Sequence, residues 1–204
     1  MKFKINRNVF LHNLNNVSKG LSSKPQMPIL TGIKIDVKDR YILLTASNFD
    51  ISIQAKLTDT NAFDIEEQGT VVLPGKYLID ILRKTTSNEV MLTSFEENSV
   101  KIIADKSNFT LNTMDKEIFP YISFEESVNF LNIDAINVKQ IIKKTSFASS
   151  SSEAKMILTG VSLSTQGPKI EAVATDSFRL AKKYLISDQQ NPSINVIIPS
   201  KNLE

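Results

Sequence analysis

Three carboxylate pairs, one histidine and a series of helix-borne lysines are the groups in this 204-residue sequence that invite a chemical reading. The pairs are Glu66-Glu67, Glu96-Glu97 and Glu125-Glu126. Adjacent residues on a strand point to opposite faces, so none of these makes a two-carboxylate acid–base site. Each reads as solvated surface. His12 is the only histidine, on the polar side of a helical stretch, and there is no cysteine. A His-based triad and a His/Cys zinc site are therefore excluded. The six glycines, Gly20, Gly32, Gly69, Gly75, Gly160 and Gly167, form neither a P-loop nor a dinucleotide fingerprint. No catalytic residue, metal or cofactor is assigned, and an enzyme is disfavoured.

The lysines are more informative. The expected helices at 7–19, 75–84 and 135–146 carry Arg7, Lys19, Lys76, Arg83, Lys84, Lys139, Lys143 and Lys144 against one acid, Asp80. Eight basic residues against one acidic residue give these helices a net +7; the chain totals +2, so strands and loops carry −5. One reading is that lysine simply coats exposed helices. The other is a polyanion-binding surface of helices on one side of a sheet. Tyr77 is the only aromatic side chain interleaved with these lysines, which favours sequence-independent phosphate contact over base stacking or groove readout.

The elements that must position these groups occur twice. Ile29-Leu30-Thr31-Gly32 returns as Ile157-Leu158-Thr159-Gly160, an offset of 128. The same offset carries Thr45-Ala46-Ser47-Asn48 onto Val173-Ala174-Thr175-Asp176, and the helix stripe Phe10, Leu14, Val17 onto Val138, Ile142, Thr145. It also aligns the expected N-caps Asn6 and Asp134. A period this long fits a duplicated domain, not a solenoid unit. Near the end, Val196-Ile197-Ile198-Pro199 parallels Val71-Val72-Leu73-Pro74 at an offset of 125. Lys201 then matches Lys76, and Leu203 matches Leu78. Since the first unit continues past this point, the second is expected to be cut short and the sequence to be a fragment.

Alternation predicts strands at 1–6, 29–37, 41–47, 51–58, 69–73, 90–92, 99–104 and 109–113, with helices at 7–19 and from Pro74 to 83. Gly20 is expected to close the first helix, and Leu78, Ile81 and Leu82 to form the buried stripe of the second. The second unit is expected to repeat this order: helix at 134–146, serine loop at 149–152, strands at 156–164, 170–174 and 179–186. Hydrophobic residues at 41% and charged residues at 23% fit a folded protein. No apolar run approaches the roughly 20 residues of a membrane helix. The N-terminus lacks a signal-peptide core, and a cytoplasmic location is expected.

Several stretches, quoted together, are similar to those of one family. They are Met1-Lys2-Phe3, Lys24-Pro25, Met27-Pro28-Ile29-Leu30, Leu44-Thr45-Ala46-Ser47-Asn48, Pro74-Gly75-Lys76, Phe109-Thr110-Leu111, Phe119-Pro120 and Val173-Ala174-Thr175-Asp176-Ser177-Phe178-Arg179-Leu180-Ala181. In this order, end to end, the chain resembles the bacterial β sliding clamps, the processivity subunits of DNA polymerase III. The resemblance implies an α+β fold of duplicated clamp domains, each with two helices packed on antiparallel sheets. It places clamp domain I at 1–126 and an incomplete domain II at 127–204, with a third domain absent from this sequence. It implies no intrinsic catalysis. The chain would instead be an accessory subunit of a DNA-directed DNA polymerase, and two full-length chains would close head to tail as a homodimer ring around double-stranded DNA. The replicative polymerase and the clamp loader would dock through linear motifs.

By matching position, Lys24, Lys76 and Lys201 are expected to face DNA, joined by Lys139 and Lys143 from the charge count. The loop at 149–156 also faces DNA in the family; here it carries serines and leads into Met156-Ile157. Ile81, Phe109 and Leu111 match first-domain dimer contacts, with ordinary core as the alternative. Leu158, Thr175, Ser177, Phe178, Arg179 and Leu180 match the partner-peptide groove, with Phe178 where histidine is usual. Phe178 is then either a core residue or the exposed wall of a pocket floored by Leu158 and Leu180. The competing function is a non-catalytic repeat-domain module that binds another polyanion or a protein partner.

Overall fold

At Asn6 the chain changes from strand to helix, and one side chain makes the change. Its Oδ1 accepts from the backbone N–H groups of Asn8 and Val9, at 3.0 and 3.2 Å, satisfying two donors that a helix start leaves orphaned. The computed structural model describes residues 1–22, 27–95, 98–125 and 130–203. Lys24, the loop around Pro25 and the carboxylates Glu96, Glu97 and Glu126 lie outside these residues. The chain divides into two units, Met1–Ser123 and Phe124–Glu204.

The first unit runs β1 (Lys2–Asn6), α1 (Arg7–Val17), β2 (Gly32–Val37), β3 (Ile42–Ser47), β4 (Ser52–Leu57), β5 (Phe63–Glu67), β6 (Gly69–Pro74), α2 (Gly75–Lys84), β7 (Glu89–Phe95), β8 (Ser99–Ala104) and β9 (Ser107–Asn112). These strands form two antiparallel sheets, ordered β5-β1-β7-β8-β9 and β4-β3-β2-β6. One core joins both. Phe3 and Ile5 of β1, with Leu92 and Ile102, meet Ile33, Ile35, Ile42 and Leu44 of the other sheet. Phe10, Leu14 and Val17 of α1 and Leu78, Ile79 and Leu82 of α2 complete it. The Phe3 and Phe10 rings meet edge-on, 6.1 Å apart. Leu14 is fully buried, so Leu14→Ala is expected to cost ~2–5 kcal/mol.

The second unit carries α3 (Ala135–Thr145), β10 (Gly160–Thr175), β11 (Leu180–Asn191), β12 (Asn195–Pro199) and α4 (Ser200–Leu203). Its antiparallel sheet has the order β11-β10-β12, and Ile141, Val161, Ile170, Ala172 and Ala174 form its core.

The 128-residue repeat extends to individual hydrogen bonds. Leu21 N–H donates to the Ser18 carbonyl as Ser149 N–H does to Ser146, each at 3.0 Å. Ser22 N–H donates to Leu30 as Ser150 N–H does to Leu158. The Thr31 hydroxyl donates to the Pro28 carbonyl at 2.8 Å, and the Thr159 hydroxyl to Met156 at 2.8 Å. Strand register repeats too: Ile42 pairs with Leu57, and Ile170 with Leu185.

Several local expectations are corrected. Ile29-Leu30 and Ile157-Leu158 do not open strands. They lie in 3₁₀ turns, Pro28–Thr31 and Glu153–Thr159, and the strands start at Gly32 and Gly160. Proline at the first turn position lacks only an N–H that the turn leaves free. Gly20 is not a left-handed helix cap. It ends a 3₁₀ turn after α1, and a Cβ there would lie 3.1 Å from the Ala46 carbonyl oxygen. Asp134 occupies the N-cap position of α3 without a side-chain capping bond. Ile79, not Ile81, fills the buried stripe of α2. The separate strands at 156–164 and 170–174 belong to the single stretch β10, which passes through Gly167 at φ +60°. Strand β5, with the acidic sequence Phe63-Asp64-Ile65-Glu66-Glu67, was not expected. It is a sheet edge, and its charges suit an edge exposed to water.

Candidate functional site

Two kinds of surface collect the candidate residues. The first is the polar face of the helices. Packing Leu78, Ile79 and Leu82 inward turns Lys76, Tyr77, Arg83 and Lys84 of α2 to solvent. In α3, Lys139 and Lys143 are one turn apart and line a cleft with Val138, Ile142 and Leu203. Lys201 is exposed on α4. Lys76, Lys139, Lys143 and Lys201 have no ion-pair partner among the described residues. Not every helix cation is available in this way. The Arg7 guanidinium donates to the Leu82 carbonyl at 3.2 Å, tying α1 to the C-terminal turn of α2. Arg83 bonds Asn15 and lies 3.8 Å from Asp80. The sequence count of basic residues does not separate these structural arginines from the free lysines.

The second surface is the turn that joins β10 to β11. Asp176 Oδ1 accepts from the Phe178 and Arg179 N–H groups, both at 3.0 Å. Its Oδ2 accepts from Arg179 Nε at 2.9 Å. The Phe178 and Arg179 amides, then the Arg179 side chain, hold the Asp176 carboxyl below the usual aspartate range. The Thr175 hydroxyl donates to the Arg179 carbonyl at 2.7 Å and accepts from Ser177 N–H at 3.2 Å. With its backbone so held, the turn extends Phe178 outward at 97% exposure and Leu180 at 65%. Phe178 is therefore not a core residue. Leu180 lies on the outer face, while Leu158 is half-buried in its 3₁₀ turn. The Arg179 guanidinium stands 5.8 Å from the Phe147 ring. Phe147, Met156 and Ile157 are exposed. Sequence reading had not singled out Phe147 as a neighbour of Arg179; its signal was an aromatic residue directly after a basic helix.

The remaining candidates lie in the first unit. Phe109 and Leu111 sit on β9, which among the described residues pairs only with β8, and both are half-buried against the core. Ile81 is likewise packed against that core. The described carboxylate pair takes structural partners: Glu66 bonds Lys2 at 2.6 Å and Glu67 meets the terminal amine at 3.5 Å. Hydrogen bonding to Glu66 raises the Lys2 pKa. Among the described residues no cluster of three or more His, Cys, Asp or Glu is placed to hold a metal. No described helix is long and apolar enough to cross a membrane.

Comparison with known proteins gives one answer over the whole chain. Residues 1–123 match the family model of the DNA polymerase III beta subunit N-terminal domain, and residues 132–204 that of its central domain. The chain is 36% identical over 207 residues to a beta sliding clamp of Staphylococcus epidermidis, covering 100% of this chain and 55% of the relative. Two crystal structures are similar. The DNA polymerase III beta chain of Streptococcus pneumoniae gives a TM-score of 0.95 at 33% identity, over 99% of this chain and 55% of that one. The DNA polymerase sliding clamp of Bacillus subtilis gives 0.95 at 33%, over 100% and 55%. The chain thus spans about half the length of the relatives it matches.

Proposed function

The chain belongs to the DNA polymerase III beta-subunit family, and on that premise we propose that it supplies the first two domains, at 1–126 and 127–204, of a cytoplasmic DNA sliding clamp. Such a clamp is a processivity factor. It works by topology, encircling duplex DNA while tethering the polymerase. Lys76, Lys139, Lys143 and Lys201, with Lys24, face the phosphates. Each releases condensed counterions without reading bases, so the clamp holds DNA and still slides. The open edge of β9, with Phe109, Leu111 and Ile81, meets a second chain head to tail. The turn at 175–180, with Leu158, receives linear motifs of the polymerase and clamp loader.

The observation that supports this proposal is the set of exposed lysines that have no ion-pair partner among the described residues, on helices whose opposite faces close the core of their own unit. The test uses the full-length protein. After loading, it should stay on nicked circular DNA and be lost within one cut-and-wash cycle when the circle is linearised. Equal retention on both forms would replace the clamp by an ordinary polyanion-binding module.

A further inference from the structure

Two groups on different elements of the second unit hold the Arg179 side chain. Asp176 Oδ2 accepts from its Nε at 2.9 Å. Phe147, in the 3₁₀ turn Ser146–Ala148 that follows α3, sets its ring against the guanidinium, 5.8 Å from ring centroid to Cζ. At that distance a guanidinium is attracted to the negative face of the ring. The backbone of Arg179 is fixed as well: its N–H donates to Asp176 and its carbonyl accepts from Thr175. Neither Nη group has a partner among the described residues. Ordering a long side chain costs entropy, and here most of that ordering precedes any ligand. The free Nη edge is a planar fork whose geometry matches a carboxylate.

The 128-residue repeat shows what this arrangement is not for. At the positions equivalent to Phe147, Asp176 and Arg179, the first unit has Lys19, Asn48 and Ile51. The turn forms there all the same, because Asn48 accepts the same two backbone bonds. Making the turn therefore requires neither the ring nor the guanidinium.

We propose that Phe147 and Asp176 are positioning residues for Arg179, and that its Nη edge selects linear motifs carrying a carboxylate beside their apolar anchor. This inference rests on the reading of the turn at 175–180 as the groove for linear motifs. Phe178 and Leu180 flank Arg179 in the sequence and supply apolar contact; Arg179 supplies the charge between them. A carboxylate takes two parallel hydrogen bonds from a fork already aligned, whereas an amide of the same shape offers it one acceptor oxygen and no charge. An acidic motif is thus preferred to its neutral counterpart.

The test is a fluorescence titration of the full-length protein with two versions of a clamp-binding peptide from the replicative polymerase, carrying aspartate or asparagine next to the apolar anchor. Wild type should bind the aspartate peptide about fivefold more tightly, the scale of a well-aligned exposed ion pair. Phe147→Leu keeps apolar bulk and removes the ring face; at 59% exposure the change should not disturb folding. It should lower the preference to about twofold or less, the loss falling on the aspartate peptide. Phe147→Tyr should retain the preference, and Arg179→Gln should abolish it. Equal binding of both peptides by wild type refutes the selection of acids and leaves the groove standing. A Phe147→Leu variant that weakens both peptides alike, or that keeps the full preference, refutes the positioning role. Binding of neither peptide by wild type refutes the groove, and this inference with it.

Discussion

Residues 47–51 and 175–179 are the same turn with different cargo. Ser47 Oγ accepts from Phe49 N–H at 3.2 Å as Thr175 Oγ1 accepts from Ser177 N–H. Asn48 Oδ1 accepts from Asp50 and Ile51 N–H at 3.0 and 2.9 Å, matching Asp176. Phe49 and Ser177 take the same left-handed φ, 74° and 77°. The side chains diverge. The first turn spends its aromatic residue at the left-handed position, where Phe49 is 57% exposed, and follows it with an acid. The second puts serine there and then Phe178, Arg179 and Leu180. One short polar acceptor at the turn's second residue fixes the backbone in both. What the turn displays was then free to change.

The widest separation of the two turns should appear in binding. In the full-length protein, Phe178→Ala or Leu180→Asp is expected to weaken a polymerase-derived clamp-binding peptide at least tenfold by fluorescence titration. Phe49→Ala should leave that affinity unchanged. A groove at 175–180 is wrong if both second-unit variants fold and bind as wild type. The contrast between the turns is wrong if Phe49→Ala is equally damaging.

Next is the pair of glycines that start β2 and β10. A Cβ on Gly32 would lie 2.5 Å from Val72 Cγ1 and 2.9 Å from Met114 Sδ, whereas on Gly160 it would lie 2.6 Å from Ile197 Cγ2 and 2.9 Å from the Ile198 carbonyl oxygen. Overpacking of this kind costs ~1–3 kcal/mol. Gly32→Ala and Gly160→Ala should therefore each destabilise their unit in urea melts. Because Met114 and Phe119 pack on Val72, and Met114 N–H bonds the Val72 carbonyl, Gly32→Ala should also speed exchange at the Met114 amide, which Gly160→Ala should not.

The caps should differ more subtly. Asn6→Ala removes two capping bonds and is expected to cost about 1 kcal/mol. Asp134→Ala removes none and should change stability by no more than about 0.5 kcal/mol. Native-state hydrogen exchange at the first turns of α1 and α3 measures both, and equal effects would mean that Asp134 caps in solution.

Much of this was legible in the sequence, because the signals were local or repeated. The 128-residue offset located the duplication, and the stripe Phe10, Leu14, Val17 located α1's buried face. The acceptor at Asp176, with polar Ser177 following, marked the turn that leaves Phe178 exposed. Other features depended on tertiary partners. Ile29 and Leu30 look like strand residues, but Phe119, some 90 positions away, covers them in a 3₁₀ turn. Strand β5 is held by register with β1, Phe63 opposite Ile5, and not by its own weak alternation. Asn6 and Asp134 are equivalent caps by type, and only the surrounding geometry decides which one bonds. The lysines were countable, but that Arg7 points inward to Leu82 was not.

The smallest expected effect separates the turns by pH. Asp176 titrates where Asn48 does not, and its two backbone N–H bonds favour the ionised form. Its folded pKa lies below the unfolded value of about 3.9. A depressed carboxylate pKa contributes stability above the unfolded value, and that contribution is lost as pH falls through the folded value. The second turn should therefore loosen only in acid, below the ordinary carboxylate range. Asp176 is solvent-accessible and Arg179 is exposed, so screening keeps the effect local. The readout is the Arg179 amide proton by NMR from pH 5 down to 2. Wild type should show a transition with its midpoint below that of a model aspartate. Asp176→Asn should abolish it while leaving the turn formed, as asparagine does at position 48. A wild-type midpoint at or above the model value would mean that the two amides do not hold the carboxylate in solution, and the likeness of the two turns would then be one of shape alone.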